Sequence, residues 1–573
     1  MRYNSSMLTI HKAKTVSAGE KSLLAALKEH KGRAIIIVPD AFTLSLETTV
    51  FGEMGRSGTF DVEVMSFARL AAVTLGSSVE KCLSPAGCVM LMEKVVGKYA
   101  SDLRVYGRVA KKPGFAAEIY AAITAIRNSG IGADRLEAAV EKLSGYVKDK
   151  TADIVTLYKG YLDELSASYA DSTTWLEALA AEIRKGNAVV DADFFVMDHL
   201  DFNAKQMEVL VALMETHSVT VAVAEAFGSE NHRVYPSTYR KLVAAAKAAG
   251  VKIENEVAVR EAFSPEKKII ANKMFSYAYK EGKSSHVRLV EAKDPEEEVT
   301  LLATEIVRLC RKKGRRYRDV AVITPSFEEY LPYLERIFAY YDIPFFADAR
   351  YPLAGCDVFD HILEGFDLVA HNFDRLSVSK YVSHALFDGF DAEEKGVFDD
   401  YVTEFGVDRG YFLHTFDLAA KGREDLLAVA EKVRSALVLE LDDLIGAPQS
   451  ATVNEYVRIL SEHLKRNDFD ARIAKYAKDI HTAGHLKESN VIAQTPEKIM
   501  SLLRTLEEIR GGETVTREEF IFALRSGAEQ MKIAALPVSL DCVYFAPLEQ
   551  AMYTPIHSVF ILGAENGFSP WKA

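Results

Sequence analysis

Short apolar runs separated by amphipathic helical stretches occur in two blocks of this 573-residue chain, and a long helical tract interrupts each block. Runs such as RAIIIVP (Arg33–Pro39) and SVTVAVA (Ser218–Ala224) are continuous and rich in β-branched residues. That is the signature of strands covered on both faces. Buried strands alternating with helices call for parallel pairing, because parallel neighbours need a crossover that a helix supplies. The pattern therefore confines the chain to an α/β class and excludes an all-β or purely helical architecture.

The first block reads as strand Ser6–Ile10, helix Glu20–His30, strand Arg33–Pro39, helix Thr43–Met54 and strand Phe60–Ser66. From Ser84 to about Lys185 the periodicity is helical, with Pro85 placed as a helix start. Strand Asp193–Asp198, helix Ala204–Thr216 and strand Ser218–Ala224 complete it. The second block begins with strand His286–Ala292, helix Pro295–Lys312, strand Asp319–Thr324, helix Phe327–Tyr340 and strand Ile343–Ala347. A helical stretch from about Gly355 to Gln530 follows, then strands Asp541–Phe545 and Ser558–Gly563, the latter expected in the core. Val251–Ser285, charged and carrying Pro265, reads as the connection. The expected division is 1–260, a connection at 261–285, and 286–573, with helical insertions at about 84–190 and 355–535. Two parallel-sheet domains, each with a helical insertion, form the layout of a two-motor, RecA-like helicase core.

Acidic residues outnumber basic ones, 82 to 69, for a net charge of −13. Any polyanion must therefore meet a local basic surface. The five cysteines, at 82, 88, 310, 356 and 542, form no disulfide framework, zinc site or iron–sulfur spacing, which fits a reducing compartment. No uncharged stretch approaches the roughly 20 residues needed to cross a bilayer, and no signal-peptide core follows Met1. A cytoplasmic location with no membrane partner is expected.

A nucleotide motor needs glycines that let backbone N–H groups reach the phosphates, a Lys to neutralise them and a Ser/Thr for Mg²⁺. His11–Lys21 (HKAKTVSAGEK) has Gly19 alone, with Lys14 and Lys21 near a helix start. It reads as a degenerate phosphate loop or a solvated turn. Asp198 ends the strand FFVMD where a Mg²⁺ carboxylate would stand, with Asp201 three residues on, but His199 replaces the expected second acid. His481 and His485 are spaced i, i+4, yet Gly484 intervenes and no Glu follows His481. No G-x-S-x-G nucleophile motif occurs, and no metal site or catalytic residue is assigned. Arg308–Arg318 (RLCRKKGRRYR) is strongly cationic. Arg315 and Arg316 there are candidates for nucleic-acid contact, the alternative being a solvated helix cap. Phe67 and Arg69 follow a strand at the edge where open α/β sheets bind ligands. They could stack a base and hold a phosphate, or serve as a core ring and a surface ion pair.

Six stretches, in order along the chain, resemble the AddB family, the B subunit of bacterial AddAB helicase–nucleases. They are Ile35–Glu47, Val64–Ala71, Phe194–Leu210, Asp294–Leu309, Tyr317–Thr324 with Ile343–Asp348, and Val559–Pro570. The resemblance implies a subunit that processes double-strand breaks for recombinational repair. It would grip and scan single-stranded DNA while an AddA-type partner in a heterodimer drives translocation from DNA ends. Phe67 and Arg69 fall in the segment that the family places near that DNA. ATP and Mg²⁺ belong to the family's complex and an iron–sulfur cluster to its nuclease domain; no cofactor is expected in this chain. The family's N-terminal Walker A sequence is not matched by His11–Lys21. Ala41 and Ala72 stand where the family often has Gln and a larger aromatic, which alters the expected hotspot reading. The chain stops at Ala573, after LGAENGFSP, so the nuclease is expected to be missing and the chain alone inactive. Two further readings stay open: an active DNA-dependent ATPase with a divergent phosphate loop, and a non-catalytic structural partner of the motor.

Overall fold

The computed structural model describes residues 7–54, 61–76, 81–186, 192–199, 201–224, 238–259, 266, 284, 286–347, 349–418, 424–534, 541–548 and 556–564. Six strands build the first sheet: β1 (Met7–Ala13), β2 (Ala34–Ile37), β3 (Val62–Met65), β4 (Asp193–Val196), β5 (Ser218–Ala224) and β6 (Lys252–Ala258). They are ordered β3-β2-β4-β5-β1-β6 and all pairs are parallel. The second sheet has β7 (Val320–Thr324), β8 (Phe345–Ala347), β9 (Val543–Pro547) and β10 (Ser558–Ile561), in the order β8-β9-β7-β10, again parallel. The α/β class with two parallel sheets and helical insertions is thus the observed fold.

The most apolar runs occupy the sheet centres. Every residue of β2 is buried, and Ile37 pairs with both Met65 and Val196. Helices α1 (Val16–Glu29), α2 (Thr43–Met54) and α3 (Phe67–Leu75) follow the first three strands. Thr15 and Ser66 cap α1 and α3 by accepting backbone N–H bonds from Ala18 and Arg69.

Three sequence expectations need correction. Lys252–Ala258, within the 1–260 unit but read as no strand, pairs in parallel with β1 and extends the first sheet. It is a solvent-facing edge strand, and its charged residues hide the strand pattern in the sequence. His286–Ala292 is extended but joins no sheet, and Leu289 is 94% exposed. Ser558–Ile561 pairs with β7 but lies at the sheet margin, with Val559 and Ile561 about half exposed, so it is not the covered core strand expected.

The two insertions share one core. The first contributes α4 (Pro85–Tyr99), α5 (Phe115–Asn128) and α6 (Gly145–Ser168), after which α7 (Ser172–Lys185) returns beneath the first sheet. In the second block α8 (Pro295–Lys313) and α9 (Phe327–Tyr340) flank the sheet, and α10 (Leu486–Arg510) and α11 (Arg517–Gln530) close the insertion. Met90, Leu91 and Val95 of α4 belong to the same buried cluster as Leu502, Leu506, Phe520 and Leu524. Tyr169 donates to the Glu508 carbonyl at 2.8 Å, and Lys94 lies 3.8 Å from the Glu513 carboxylate. Each insertion is pinched at its base by a short strand pair, Lys81–Cys82 with Tyr169–Ala170 and Arg350–Pro352 with Lys532–Ala534.

Glycine makes this junction close. A Cβ on Gly527 would lie 2.7 Å from Leu502 Cδ1 and against the Met90 methyl, and one on Gly87 would lie 3.2 Å from Thr505 Cγ2. A larger side chain at Gly527 must push α11 away from α4. Gly527→Leu is therefore expected to cost about 1–3 kcal/mol by overpacking, seen as a lower urea midpoint. An unchanged midpoint would show that the helices are not locked together.

Candidate functional site

The carboxyl ends of β1–β4 form the edge at which open parallel sheets place ligands. Only Lys14 and Thr15 separate β1 from α1. The Thr15 hydroxyl accepts the Ala18 N–H at 3.2 Å, which occupies one of the free donors a phosphate would use. Gly19 is buried within α1, where a Cβ would lie 3.2 Å from Ala222 Cβ on β5 and 3.6 Å from Ala13 Cβ. Its role here is close helix–sheet packing. Lys14 and Lys21 point to solvent.

Opposite this turn, Asp198 stands two residues past β4 in a left-handed conformation with φ 63°. Burial, reinforced by the negative charge of Glu20, pushes its carboxyl up to about 7. Burial likewise raises Glu20, opposed by Lys21. Asp198 Oδ1 is buried with no hydrogen-bond partner among the described residues. Burial holds His199 neutral, lowering it to about 4. Asp201 is engaged elsewhere, accepting from Lys241 at 2.5 Å and Thr238 at 3.2 Å. Two desolvated carboxyl groups that raise each other's proton affinity favour a low charge over binding an anion.

Phe67 and Arg69 part company on α3. Residues two apart on a helix project to different sides. Phe67 turns inward, only 4% exposed, its ring 5.4 Å from His199 and 6.4 Å from Phe202. That packing takes its face away from a stacked base and corrects one half of the pair's expected role. Arg69 is exposed, and so are Ala72 and Val73, three and four residues on. Across the same edge, Leu44 of the adjoining α2 is 75% exposed. The outward face of this edge is thus an arginine with apolar neighbours.

Arg315 and Arg316 lie far from any such edge of their own sheet. They follow the α8 cap at Gly314 and precede β7, so they sit at its amino-terminal pole. Both are exposed, and the Arg316 N–H donates to Asp319 Oδ2 at 3.0 Å. Arg308 is held by Glu305, while Arg311, Lys312 and Lys313 complete the last turn of α8, where cations complement the helix dipole. His481 ends one helix and His485 precedes the next, with Gly484 at φ 93° breaking the path between them. Among the described residues no three His, Cys, Asp or Glu side chains converge as metal ligands. No described helix is long and apolar enough to cross a membrane.

Sequence reasoning missed a buried polar junction. Arg127 of α5 and Asp171, the cap of α7, form an ion pair joined by Tyr161 and Thr174. The cap was visible as an Asp before Ser-Thr-Thr; its distant arginine was not.

Tandem parallel sheets with helical insertions are an α/β arrangement consistent with RecA-like domains. Residues 19–275 match the family described as "ADDB, N-terminal". Over 566 residues the chain is 24% identical to the B subunit of the ATP-dependent helicase/deoxyribonuclease of Caldanaerobacter subterraneus subsp. tengcongensis, covering 94% of this chain and 49% of that protein. The B subunits of the ATP-dependent helicase/deoxyribonucleases of Lachnoclostridium phytofermentans and Acetivibrio thermocellus are each 25% identical, covering 96% and 94% of this chain and 51% and 50% of theirs. The chain is similar to these B subunits over nearly its whole length, and it spans about half the length of the curated relatives it matches.

Proposed function

We propose that this chain is the DNA-gripping, helicase-like part of an AddAB-type complex acting in double-strand-break repair, with an AddA-type partner supplying the motor. The kinship to B subunits of helicase/deoxyribonucleases supports a role inside an assembly that handles DNA. The observation that carries the non-motor half of the reading is the two-residue β1–α1 turn. Its hydroxyl cap, the buried Gly19 and the Glu20–Asp198 pair support the reading of a degenerate nucleotide site. Single-stranded DNA would cross the exposed faces of α2 and α3, with Arg69 on a phosphate and Leu44 and Val73 against sugars and bases. Arg315 and Arg316, at the other pole, would serve duplex or partner contacts.

Fluorescence anisotropy of labelled single-stranded DNA across a salt series tests this. Binding should weaken steeply with salt, and Arg69→Ala should reduce affinity several-fold and flatten the salt slope by about 0.7, the loss of one phosphate contact. No binding at low salt would overturn the gripping role in favour of a structural partner, a reading that the net charge of −13 also favours. Nucleotide binding abolished by Asp198→Ala would instead restore the divergent ATPase.

A further inference from the structure

The amino-terminal pole of the second sheet carries more positive charge than its fold requires. Seven cations occupy Arg308–Arg318, on a chain whose net charge is −13. Among the described residues only Arg308 of the seven is in an ion pair, with Glu305. Arg311, Lys312 and Lys313 fall in the last turn of α8, where they offset the helix dipole. That account ends with the helix. Arg315, Arg316 and Arg318 lie beyond the Gly314 cap, outside the turn to which the dipole effect is confined, and all three are exposed.

The backbone that carries these three arginines is pinned to the strand entries around it. The Arg316 N–H donates to Asp319 Oδ2 at 3.0 Å. The Arg318 N–H donates at 3.1 Å to Asp541 Oδ1, just ahead of β9. The His557 N–H, just ahead of β10, donates to the Asp319 carbonyl at 3.0 Å. A fixed group of cations thus stands over the amino-terminal ends of β7, β9 and β10. Tyr317, the one ring within the basic stretch, is half-buried and packs against the buried cluster of this sheet.

We propose that this pole is a landing surface for duplex DNA, separate from the α2–α3 edge that would hold the single strand. The proposal rests on the DNA-handling role given above and chooses the duplex for these arginines. A single strand is held by stacking on aromatic rings as well as by charge. The basic stretch offers no free ring for that, because Tyr317 is turned into the core. A duplex presents the phosphates of both strands, about one charge per 1.7 Å of axis, to cations that need no base contact. A compact, pinned group of arginines gains most from that denser array, and it would hold the duplex without regard to sequence.

Fluorescence anisotropy of the whole chain with a labelled blunt duplex, across a salt series, tests this. Replacing Arg315, Arg316 and Arg318 together by Ala should lower duplex affinity at least about tenfold at low salt and flatten the salt slope by about 2.7, which is about 0.9 per phosphate. Single-strand binding should stay nearly unchanged in that variant, and Arg69→Ala should show the reverse pattern. The three side chains are exposed, so the urea transition of the variant should coincide with that of the native chain. Without any variant, bound duplex should shield Lys312 and Lys313 from acylation by an N-hydroxysuccinimide ester. An unchanged duplex slope in the triple variant overturns the proposal and assigns the surface to a protein partner, while weakening of single-strand binding by Arg69→Ala would still uphold the gripping role. Equal losses for the two forms of DNA also overturn it. In that case Tyr340, 81% exposed at the end of α9, is the ring that would make this a second single-strand site. A native chain that binds neither form at low salt overturns this proposal and the gripping role together.

Discussion

Asp171→Ala is expected to cost this protein about 3–5 kcal/mol, because it strands the Arg127 guanidinium inside the fold. The two side chains are 4% and 1% exposed. Asp171 also accepts the Tyr161 hydroxyl at 3.1 Å and caps α7 through the Thr174 N–H at 2.8 Å. Burial pushes the Asp171 carboxyl upward, but Arg127 and the bonds from Thr174 outweigh it and hold it below the ordinary range. A depressed carboxylate gives stability above its unfolded value that is lost as pH falls through the folded one. The junction should therefore loosen in acid. Tyr161→Phe, which leaves the charges paired, should cost only about 1 kcal/mol. Because several bodies share this chain, the comparison belongs on the urea transition that reports α5 and α7. Equal losses from the two variants would show that the ion pair is not what joins the helical body to the first sheet.

The second large effect has the opposite sign. Asp198→Asn is expected to stabilise the chain by roughly 2–4 kcal/mol at pH 8 and by almost nothing at pH 4. Asp198 is raised to about 7 by burial and by Glu20, so the folded protein binds its proton more tightly than the unfolded chain does. That stability is present below the unfolded value near 4 and is lost as pH rises to about 7. An amide has no charge to desolvate, and Asn accepts the left-handed φ of 63° at this position. His199 acts against it: lowered to about 4 by burial, it makes stability rise with pH between about 4 and 6.5. In the native chain the two slopes oppose each other, and Asp198→Asn should uncover that of His199. Thermal unfolding of both proteins from pH 4 to 8 measures the difference. If the variant is less stable at pH 8, and Mg²⁺ with nucleotide stabilises only the native chain, the carboxylate is a ligand and the non-motor reading falls.

Much of this arrangement was legible in the sequence. Thr43–Met54, Ala204–Thr216, Ser218–Ala224 and Phe327–Tyr340 form the elements read from periodicity, with the same limits. These segments announce themselves because each is long or continuously apolar. Lys252–Ala258 escaped because an edge strand needs little apolar surface. His286–Ala292 has a strand's alternation but stands off the sheet. At the candidate edge, the sequence placed Phe67 and Arg69 together because they are two residues apart; the helix that carries them sends one inward and the other to solvent. For Asp198, the end of an apolar strand was readable, whereas its desolvation beside Glu20 depends on α1 lying across β4.

By itself the sequence determined the class of fold, the two parallel sheets, the helical insertions and the kinship, because these follow from local periodicity and from order along the chain. Only the tertiary structure decided that the insertions share one core and that Arg127 meets Asp171 across 44 residues. Those facts rest on contacts between residues distant in sequence. Such contacts are set by close packing and by the fixed direction of parallel crossovers, and no window along the chain contains both partners.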